Sequence, residues 1–358
     1  MLLRSSWRRR PPAAQDAAAG IAVSCRVRLA RNLRDERFPD WADEAGRRRV
    51  FEALGPWLAH DAGIEGARRL DVGALDDATR DLLCERHLIS TDLAGRGAGV
   101  GLVVAGDERL AVMLNEEDHL RIQVIEPGMD LQHAWRVADA LDTRLDARFA
   151  CAFSPRLGYL TACPSNVGTG LRASIMVHLL GLHLAEDLDA SLRALERLRF
   201  AVRGVTGEGS EAAGHMFQVS NQETLGADEA TLIGELLDIV GEVVRQERNA
   251  RLRLRRDSPE VLVDCVARAL AVIQSARIMA TGEALDHLSA LRLGVHLGLV
   301  RRLTVAEVDD LTLAIQPGHL QKRLGQTLEP ARRDVVRADF MRAALAQAEL
   351  HGAEARTR

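Results

Sequence analysis

The sequence predicts an α+β protein, with an antiparallel β-sheet flanked by helices and an all-α C-terminal region. The sheet is predicted from Ala98 to Glu126, where short apolar segments follow one another across tight turns such as Gly106-Asp107. Strands joined by such short turns pair antiparallel, because a parallel pair needs a long crossover connection. The C-terminal region is predicted from the helical spacing of apolar residues after Ser258.

Length and composition agree with two folded domains. The chain has 358 residues, against about 150 for a typical domain. We expect a frayed leader at 1–16, a first domain at 17–256 and a helical domain at 257–358. Hydrophobic residues make up 47% and charged residues 27%, and the net charge is −4. No apolar run approaches the ~18 residues of a membrane span, and the negative net charge gives no overall attraction to nucleic acid, so neither a membrane nor a nucleic acid is a predicted partner.

The cysteines and lysines exclude several kinds of site. Five scattered cysteines without a C-x-x-C pair argue against a disulfide framework and against zinc, so we predict a reducing cytoplasm and no metal held by the protein. Lys322 is the only lysine among 47 basic residues. Its Gln-Lys-Arg context fits neither a P-loop nor a protein-kinase lysine. Any phosphate must therefore be bound by arginine.

The N-terminal part of the first domain combines one arginine-bearing strand with helices. Ile21 to Leu33 begins as an extended segment, and side chains two apart share a strand face, so Arg26 and Arg28 point the same way. Such a pair suits an anion or an acidic partner, and a solvated strand face is the alternative. Apolar spacing predicts helices at Trp41–Ile64, Thr79–Leu88 and Met129–Asp146.

Tyr159 to Leu179 is predicted to pass from a short strand through a Gly-rich turn into a helix. Pro164 to Gly170 holds the turn-forming residues, and Leu171 to Leu179 spaces apolar residues at helical intervals. Arg172 would lie in the first helical turn, where the macrodipole and free backbone N–H groups favour a phosphate. An ordinary bend is the alternative, because Gly-rich turns occur wherever the backbone turns sharply.

The remainder is predicted to be one loop followed by helices. Arg203 to Ala213 is a second Gly-rich loop, with Glu208 near its centre. Ala227 to Arg256 is a long amphipathic helix, whose arginine-rich end is better explained by solvation than by nucleic acid. Further helix boundaries are predicted at Ser258-Pro259 (N-cap and N1), Thr304–Glu307 (capping box), Gln316-Pro317-Gly318 and Pro330.

Together these segments describe a site for phosphoryl transfer. Arginines on separate segments adjoin two Gly-rich loops, and carboxylates lie beside them in NEEDHLR (115–121) and RGVTGEG (203–209). An arginine cage with Mg²⁺ neutralises phosphate oxygens and holds the reactants in line without a P-loop. A guanidinium acceptor suits two glutamates, because a carboxylate fork pairs with its N–H groups and accepts a proton that does not leave unaided.

These motifs resemble the phosphagen kinase superfamily, and most closely its bacterial protein-arginine kinases. From about residue 20 the resemblance is carried by CRVRLARNL, ERHLIS, NEEDHLR, CPSNVGTGLRAS and RGVTGEGSEA. It implies the superfamily's catalytic fold, ATP and Mg²⁺ as cofactors, a homodimer, and transfer of the γ-phosphoryl group to arginine in proteins. The bacterial branch is favoured because the first motif follows too little chain for the small helical domain of the metabolite kinases.

The resemblance also implies roles for single residues. Glu117 and Glu208 match glutamates that orient the guanidinium, and Cys163 matches a reactive cysteine beside the substrate, with a merely packed side chain as the alternative. ATP binding is implied for Ser24, Cys25, Arg26, Val27, Arg28, His87, Arg121, Arg172, Ala173, Ser174, Ile175, Met176, Arg203, Gly204, Val205, Thr206, Gly207 and Glu208. Allosteric phosphoarginine binding is implied for Arg333, Asp334, Val335, Val336, Arg337 and Ala338.

Departures and rival functions complete the prediction. Cys25 stands where serine is usual and Leu180-Gly181 where proline is common, and neither position carries charge. The implied partners are protein substrates with accessible arginines, a zinc-binding activator protein and a Clp-type protease that degrades the marked proteins. The alternatives are a kinase of free arginine or a related guanidino metabolite, and a catalytically inactive phosphoarginine-binding adaptor. The presence of all the matched arginines and glutamates disfavours the adaptor.

Overall fold

A computed structural model describes residues 18–204 and 212–351, except residue 19. Its strands are β1 (Ala22–Arg31), β2 (Arg68–Asp71), β3 (Gly101–Val104), β4 (Leu110–Leu114), β5 (Leu120–Pro127), β6 (Phe153–Ser154), β7 (Gly158–Tyr159), β8 (Leu171–His178), β9 (Phe200–Gly204), β10 (Met216–Asn221), β11 (Val300–Arg301) and β12 (Glu349–Leu350). Its α-helices are α1 (Glu44–His60), α2 (Asp77–Glu85), α3 (Thr91–Ala94), α4 (Leu131–Arg148), α5 (Leu180–Leu184), α6 (Leu188–Arg197), α7 (Glu229–Asp257), α8 (Pro259–Ser275), α9 (Thr281–His296), α10 (Val305–Ala314), α11 (Pro317–Leu324) and α12 (Pro330–Ala344).

One large antiparallel sheet organises the first part of the chain. Within the described residues, eight strands lie in the order β2-β3-β4-β5-β1-β8-β10-β9. Every neighbouring pair in this sheet is antiparallel. The predicted fold class, an antiparallel sheet with helices followed by a helical C-terminal region, is confirmed, and β1 lies near the middle of the sheet between β5 and β8.

The predicted helix at Leu171–Leu179 is wrong, because this segment forms strand β8. Leu171, Ala173, Ile175 and Val177 alternate with polar or larger residues, and their side chains are fully buried on one face of the sheet. Period-two alternation is the pattern of a strand, and it is decisive here because β8 pairs with β1 and with β10. Arg172 therefore lies on a strand, and no helix dipole supports a phosphate at this position.

The two faces of the sheet differ in chemistry. On the apolar face, α4 packs on β1 and β5, and α7 packs on β8 and β10. The buried residues that fill this layer include Val27, Leu29, Ile122, Val124, Ala173, Ile175, Val177, Phe217 and Val219. Because strand side chains alternate between faces, the residues between them point to the opposite face. That opposite face carries Arg26, Arg28, Arg172 and Ser174.

Part of the polar face is covered by a small helical layer. Leu83 of α2, Leu93 of α3 and Leu88 of the segment between them are buried with Leu102 and Val104 of β3 in a separate apolar cluster. This layer covers the β3–β4 side of the sheet. The face of β1, β8 and β10 carries no such apolar layer in the described structure, and a polar cleft remains there.

Most predicted helix boundaries are confirmed. Thr304 and Glu307 form a reciprocal capping box at α10, and prolines open α8, α11 and α12. Ser258 occupies the predicted N-cap position of α8, with Pro259 directly after it, but its side chain makes no capping hydrogen bond and the residue also ends α7. Helices α8, α9, α10 and α12 share a second apolar cluster with the end of α7, and α11 packs against α2. In the described structure, no helix combines the length and the hydropathy that crossing a membrane requires.

Arg31 at the end of β1 is held in the protein interior. Its side chain is 1% exposed and binds Asp142 of α4 through two hydrogen bonds of 3.0 and 2.6 Å. It also donates to the Thr169 carbonyl at 2.9 Å, and its guanidinium lies 3.5 Å from the centre of the Tyr159 ring. Arg31 therefore joins β1, α4 and the Gly-rich turn, and does not face the cleft used by Arg26 and Arg28.

Replacing Arg31 with methionine is expected to lower the free energy of unfolding by about 3–5 kcal/mol, because Asp142 is left buried without its partner. The matched control is Arg34→Met, since Arg34 is an exposed arginine just beyond the same strand, and surface changes of this kind stay within about 0.5 kcal/mol. Urea unfolding followed by circular dichroism measures both. Equal stabilities for the two variants would show that the Arg31–Asp142 pair has no such role.

Candidate active site

Strand register assembles the predicted arginines on one face. Arg28 of β1 lies opposite Arg172 of β8, and Arg26 lies opposite Ser174. On the far side of β8, Arg203 of β9 is paired with Gln218 of β10. Arg121 of β5, paired with Ala30 of β1, shares the same face, so four strands bring guanidinium groups to it. The predicted common orientation of Arg26 and Arg28 is confirmed.

The cleft is a cavity of about 390 Å³ above β1, β8 and β10. It is lined by Ser24, Arg26, Arg28, His87, Thr91, Ile125, Ser174, Met176, Arg203, Gly204 and Gln218. Eight of the residues to which the resemblance assigned ATP binding are in this lining. Cys25, Val27, Ala173 and Ile175 belong to the same strands, but their side chains are buried in the apolar layer. Val205, Thr206, Gly207 and Glu208 lie outside the described residues.

The guanidinium groups of the cleft lie close enough to repel one another, and few acidic side chains compensate their charge. Burial, reinforced by Arg121 and Arg172, lowers the pKa of Arg26 to about 10. Burial and the charges of Arg26, Arg121 and Arg172 lower the pKa of Arg28 well below its usual value, and Glu116 only partly opposes them. Burial, followed by Arg203 and Arg121, also lowers the pKa of Arg172. A polyanion in this cleft would relieve the mutual repulsion of the guanidiniums.

Polar neighbours fix the guanidinium groups. Arg26 donates to Gln218 Oε1 at 2.7 Å, and Arg172 donates to Ser220 Oγ at 3.2 Å. Arg28 has no hydrogen-bond or ion-pair partner among the described residues, so its donors are available to a ligand. The sequence reasoning missed Gln218, Ser220 and Thr91. Alternation in Met-Phe-Gln-Val-Ser-Asn (216–221) was the available signal for the first two.

Arg121 connects the cleft to the predicted acceptor glutamate. It donates to Glu116 at 2.7 Å and to Glu117 at 3.3 Å. Glu116 is fully buried and also accepts a short hydrogen bond from Ser90, the N-cap of α3. Glu117 is partly exposed at the edge of the site, and burial, followed by the charge of Asp118, raises its pKa. Glu117 is thus a carboxylate of raised basicity beside the arginine cluster.

Cys163 directly precedes the Gly-rich turn and is close enough to Arg172 for the two to interact electrostatically. It is half-buried, and its Sγ is 3.0 Å from Ser165 Oγ. The residues directly after it, Pro164–Asn166, form a short 3₁₀ turn within the predicted Gly-rich turn. At Gly168, φ is +114° and an added Cβ would lie 2.2 Å from the Thr224 carbonyl oxygen, so the turn requires glycine there.

The predicted phosphoarginine motif lies on α12, and none of its residues lines the cleft. Arg337 is 1% exposed and donates to the Ile315 and Met279 carbonyls at 3.0 and 2.8 Å. It also bonds Asp334 at 2.5 Å, which is the i, i+3 ion pair expected from the sequence. Arg333 is half-buried and donates to the Leu328 carbonyl. Val335 and Val336 are half-buried and Ala338 is buried.

Across the described part of the chain, no three His, Cys, Asp or Glu side chains are grouped to hold a metal ion. The donors of the cleft are guanidinium, hydroxyl and amide groups, which suit phosphate oxygens.

Comparison with known families matches nearly the whole chain. Residues 60–250 match "ATP:guanido phosphotransferase, C-terminal catalytic domain", and residues 259–356 match "Protein-arginine kinase McsB C-terminal domain". The chain is similar to the protein-arginine kinase of Moorella thermoacetica, at 43% identity over 92% of this chain and 95% of the relative. It is also similar to that of Pelotomaculum thermopropionicum, at 41% identity over 90% and 91%.

Solved structures of similar fold agree with these matches. Lombricine kinase is 25% identical, with a TM-score of 0.56 over 66% of this chain and 71% of that chain. The duplicated taurocyamine kinase from Schistosoma mansoni has a TM-score of 0.60 at 23% identity, over 72% of this chain and 38% of its own length. The second likeness supports the fold alone.

Proposed function

The chain belongs to the protein-arginine kinase family of ATP:guanido phosphotransferases, and we propose that it transfers the γ-phosphoryl group of ATP to a guanidinium nitrogen of arginine residues in proteins. The observation that carries this proposal is the arginine cluster on β1, β5, β8 and β9, with Glu117 at its edge. Arg121 contacts Glu117 directly and interacts electrostatically with Arg26 and Arg28. Phosphate and acceptor would therefore meet at Arg121.

Each residue has a defined task in this reaction. Arg26, Arg28, Arg172 and Arg203 would bind the phosphates and neutralise the charge that spreads over the transferred group. A guanidinium nitrogen attacks the γ-phosphorus, the bond to the β,γ-bridging oxygen breaks, and ADP leaves. Glu117 orients the guanidinium and accepts the proton that its nitrogen loses. Mg²⁺, when present with ATP, supplies further charge neutralisation.

The remaining assignments rest on family resemblance. Glu208 would be the second glutamate at the acceptor, and Cys163 would lie beside the substrate. Residues 257–358 would form a domain for dimerisation and phosphoarginine binding through Arg333 and Arg337. We further propose a zinc-binding activator and a Clp-type protease as partners, and a cytoplasmic location, which suits the five free cysteines.

The closest rival is a kinase of free arginine or a related metabolite. Offering free arginine and an unfolded, arginine-containing protein side by side with Mg·ATP is expected to give acid-labile phosphate on the protein only. ADP release is measured in both reactions, and protein-bound phosphate by ³¹P NMR at alkaline pH. Transfer to free arginine alone would establish the metabolite kinase, and no ADP with either acceptor would favour the inactive adaptor.

A further inference from the structure

Asp118 follows Glu117 in the chain but points into the protein. Its side chain is fully buried, and Oδ1 accepts hydrogen bonds from Asn32 Nδ2 at 2.5 Å and from the Ala162 backbone N–H at 2.7 Å. Asn32 is buried as well, and its Oδ1 accepts from the His119 backbone N–H at 2.9 Å. The Asn32–Asp118 pair thus ties the loop of Glu117 to the segment that ends at Cys163.

The charge of Asp118 is poorly compensated. Its Oδ2 is buried and has no hydrogen-bond partner within the described residues, and no ion pair joins it to an arginine there. Burial accordingly raises the pKa of Asp118, against the effects of its two hydrogen bonds and of Arg121. Burying an uncompensated carboxylate is costly. A neutral side chain with an acceptor oxygen could make the same hydrogen bonds to Asn32 and Ala162. The negative charge of Asp118 therefore points to an additional, electrostatic effect on a neighbouring group.

The charge of Asp118 acts on the neighbouring carboxylate of Glu117. After burial, the charge of Asp118 is the largest influence that raises the pKa of Glu117. Glu116 and Asp40 act in the same direction, and Arg121 opposes them. Among the described residues, these four are the charged groups that act on the pKa of Glu117. Asp118 therefore has two effects near the proposed acceptor. Its hydrogen bonds fix the distance between the loop of Glu117 and the segment that ends at Cys163, and its charge raises the pKa of Glu117.

We propose that Asp118 is a positioning residue for the target guanidinium, which fixes the loop of Glu117 relative to Cys163 and keeps Glu117 basic. The inference rests on the proposed transfer to arginine. It assigns Asp118 no contact with the substrate, because the side chain is buried. Its effect should therefore appear in acceptor binding and pH dependence, and not in nucleotide binding.

Two variants separate the two effects. Asp118→Ala removes both hydrogen bonds and is expected to raise KM for the arginine-containing protein about tenfold or more, with KM for ATP nearly unchanged. Asp118→Asn retains an acceptor oxygen for Ala162 and is expected to restore KM for the acceptor. Because it removes the negative charge, it lowers the pKa of Glu117, and the acid limb of the kcat/KM profile moves to lower pH.

Hydrogen–deuterium exchange supplies a readout that does not depend on activity. A peptide covering Leu160 to Cys163 should exchange faster in Asp118→Ala and at the wild-type rate in Asp118→Asn. The proposal is overturned if Asp118→Ala leaves KM for the acceptor unchanged or raises both KM values equally, or if the acid limb of Asp118→Asn stays in place. If Asp118→Ala does not fold, the pH profile and the deuterium exchange of Asp118→Asn still test the proposal. A wild-type enzyme without transfer would refute the proposed function, whereas a normal wild type with unaffected variants would refute only the positioning role.

Discussion

Replacing Arg28 with alanine is expected to lower kcat for phosphoryl transfer about 10³-fold, because a charge-neutralising arginine at a transferred phosphoryl group contributes on that scale. Arg28 lines the cleft and lies opposite Arg172 across β1 and β8. Its guanidinium has no partner within the described structure, so binding phosphate is the role left for it. The melting temperature is not expected to fall, since the substitution removes a repelling charge beside Arg26 and Arg172.

Two control variants make the Arg28 result specific. Arg28→Lys keeps a positive charge but loses the planar fork, so it is expected to recover only part of the lost rate. Arg34→Ala removes an exposed arginine beyond the end of the same strand and should match the wild type. Rates are measured as ADP release with saturating protein substrate. An Arg28→Ala enzyme with wild-type kcat would rule out a role for Arg28 in transfer.

Replacing Glu117 with glutamine is expected to lower kcat by about 10²- to 10⁴-fold, the range of a general base. Affinity for ATP should change little, because Glu117 is not in the lining of the cleft. Glu65→Gln is the matched control, since Glu65 is an exposed glutamate outside the proposed site. Nucleotide affinity is measured by calorimetry and the rate by ADP release. Loss of ATP binding together with the rate would assign Glu117 to the nucleotide instead.

The pH dependence of the wild type follows from the same residue. Glu117 must be ionised to accept a proton, and its pKa is raised by burial and by Asp118, Glu116 and Asp40. A raised pKa means that the carboxylate becomes protonated earlier as the pH falls. Activity should therefore decline with a midpoint above the ordinary glutamate value of about 4.3. A midpoint at or below that value would show that another group controls the acid limb.

The sequence was sufficient for the fold class and for the arginines, and insufficient for their placement. Arg26 and Arg28 could be assigned to one strand face because period two is local information. Leu171 to Leu179 could not be resolved in the same way. Leu171, Ile175 and Leu179 fit a helix face, while Leu171, Ala173, Ile175 and Val177 fit a strand face. Only pairing with β1 and β10, which is remote in sequence, decides between these readings.

The residues that support the site, such as Asn32 and Asp118, could not be predicted from the sequence for a related reason. Asn32 and Asp118 are far apart in the chain, and nothing local marks them as partners. Composition alone would group Arg31 with the phosphate-binding arginines, yet this residue, three positions beyond Arg28 on the same strand, is buried against Asp142. Which arginines bind phosphate depends on which face of β1 they occupy, and that follows from the register of the sheet.

The most direct test of the proposed reaction is identification of its product. A wild-type enzyme incubated with Mg·ATP and an unfolded protein, then digested and analysed by tandem mass spectrometry away from acid, is expected to yield phosphate on arginine side chains. The same peptides should be unmodified with the Arg28→Ala and Glu117→Gln enzymes. Phosphate found only on serine, threonine or histidine, or arginine phosphorylation that persists in both variants, would contradict the assignment of this cleft to arginine phosphorylation.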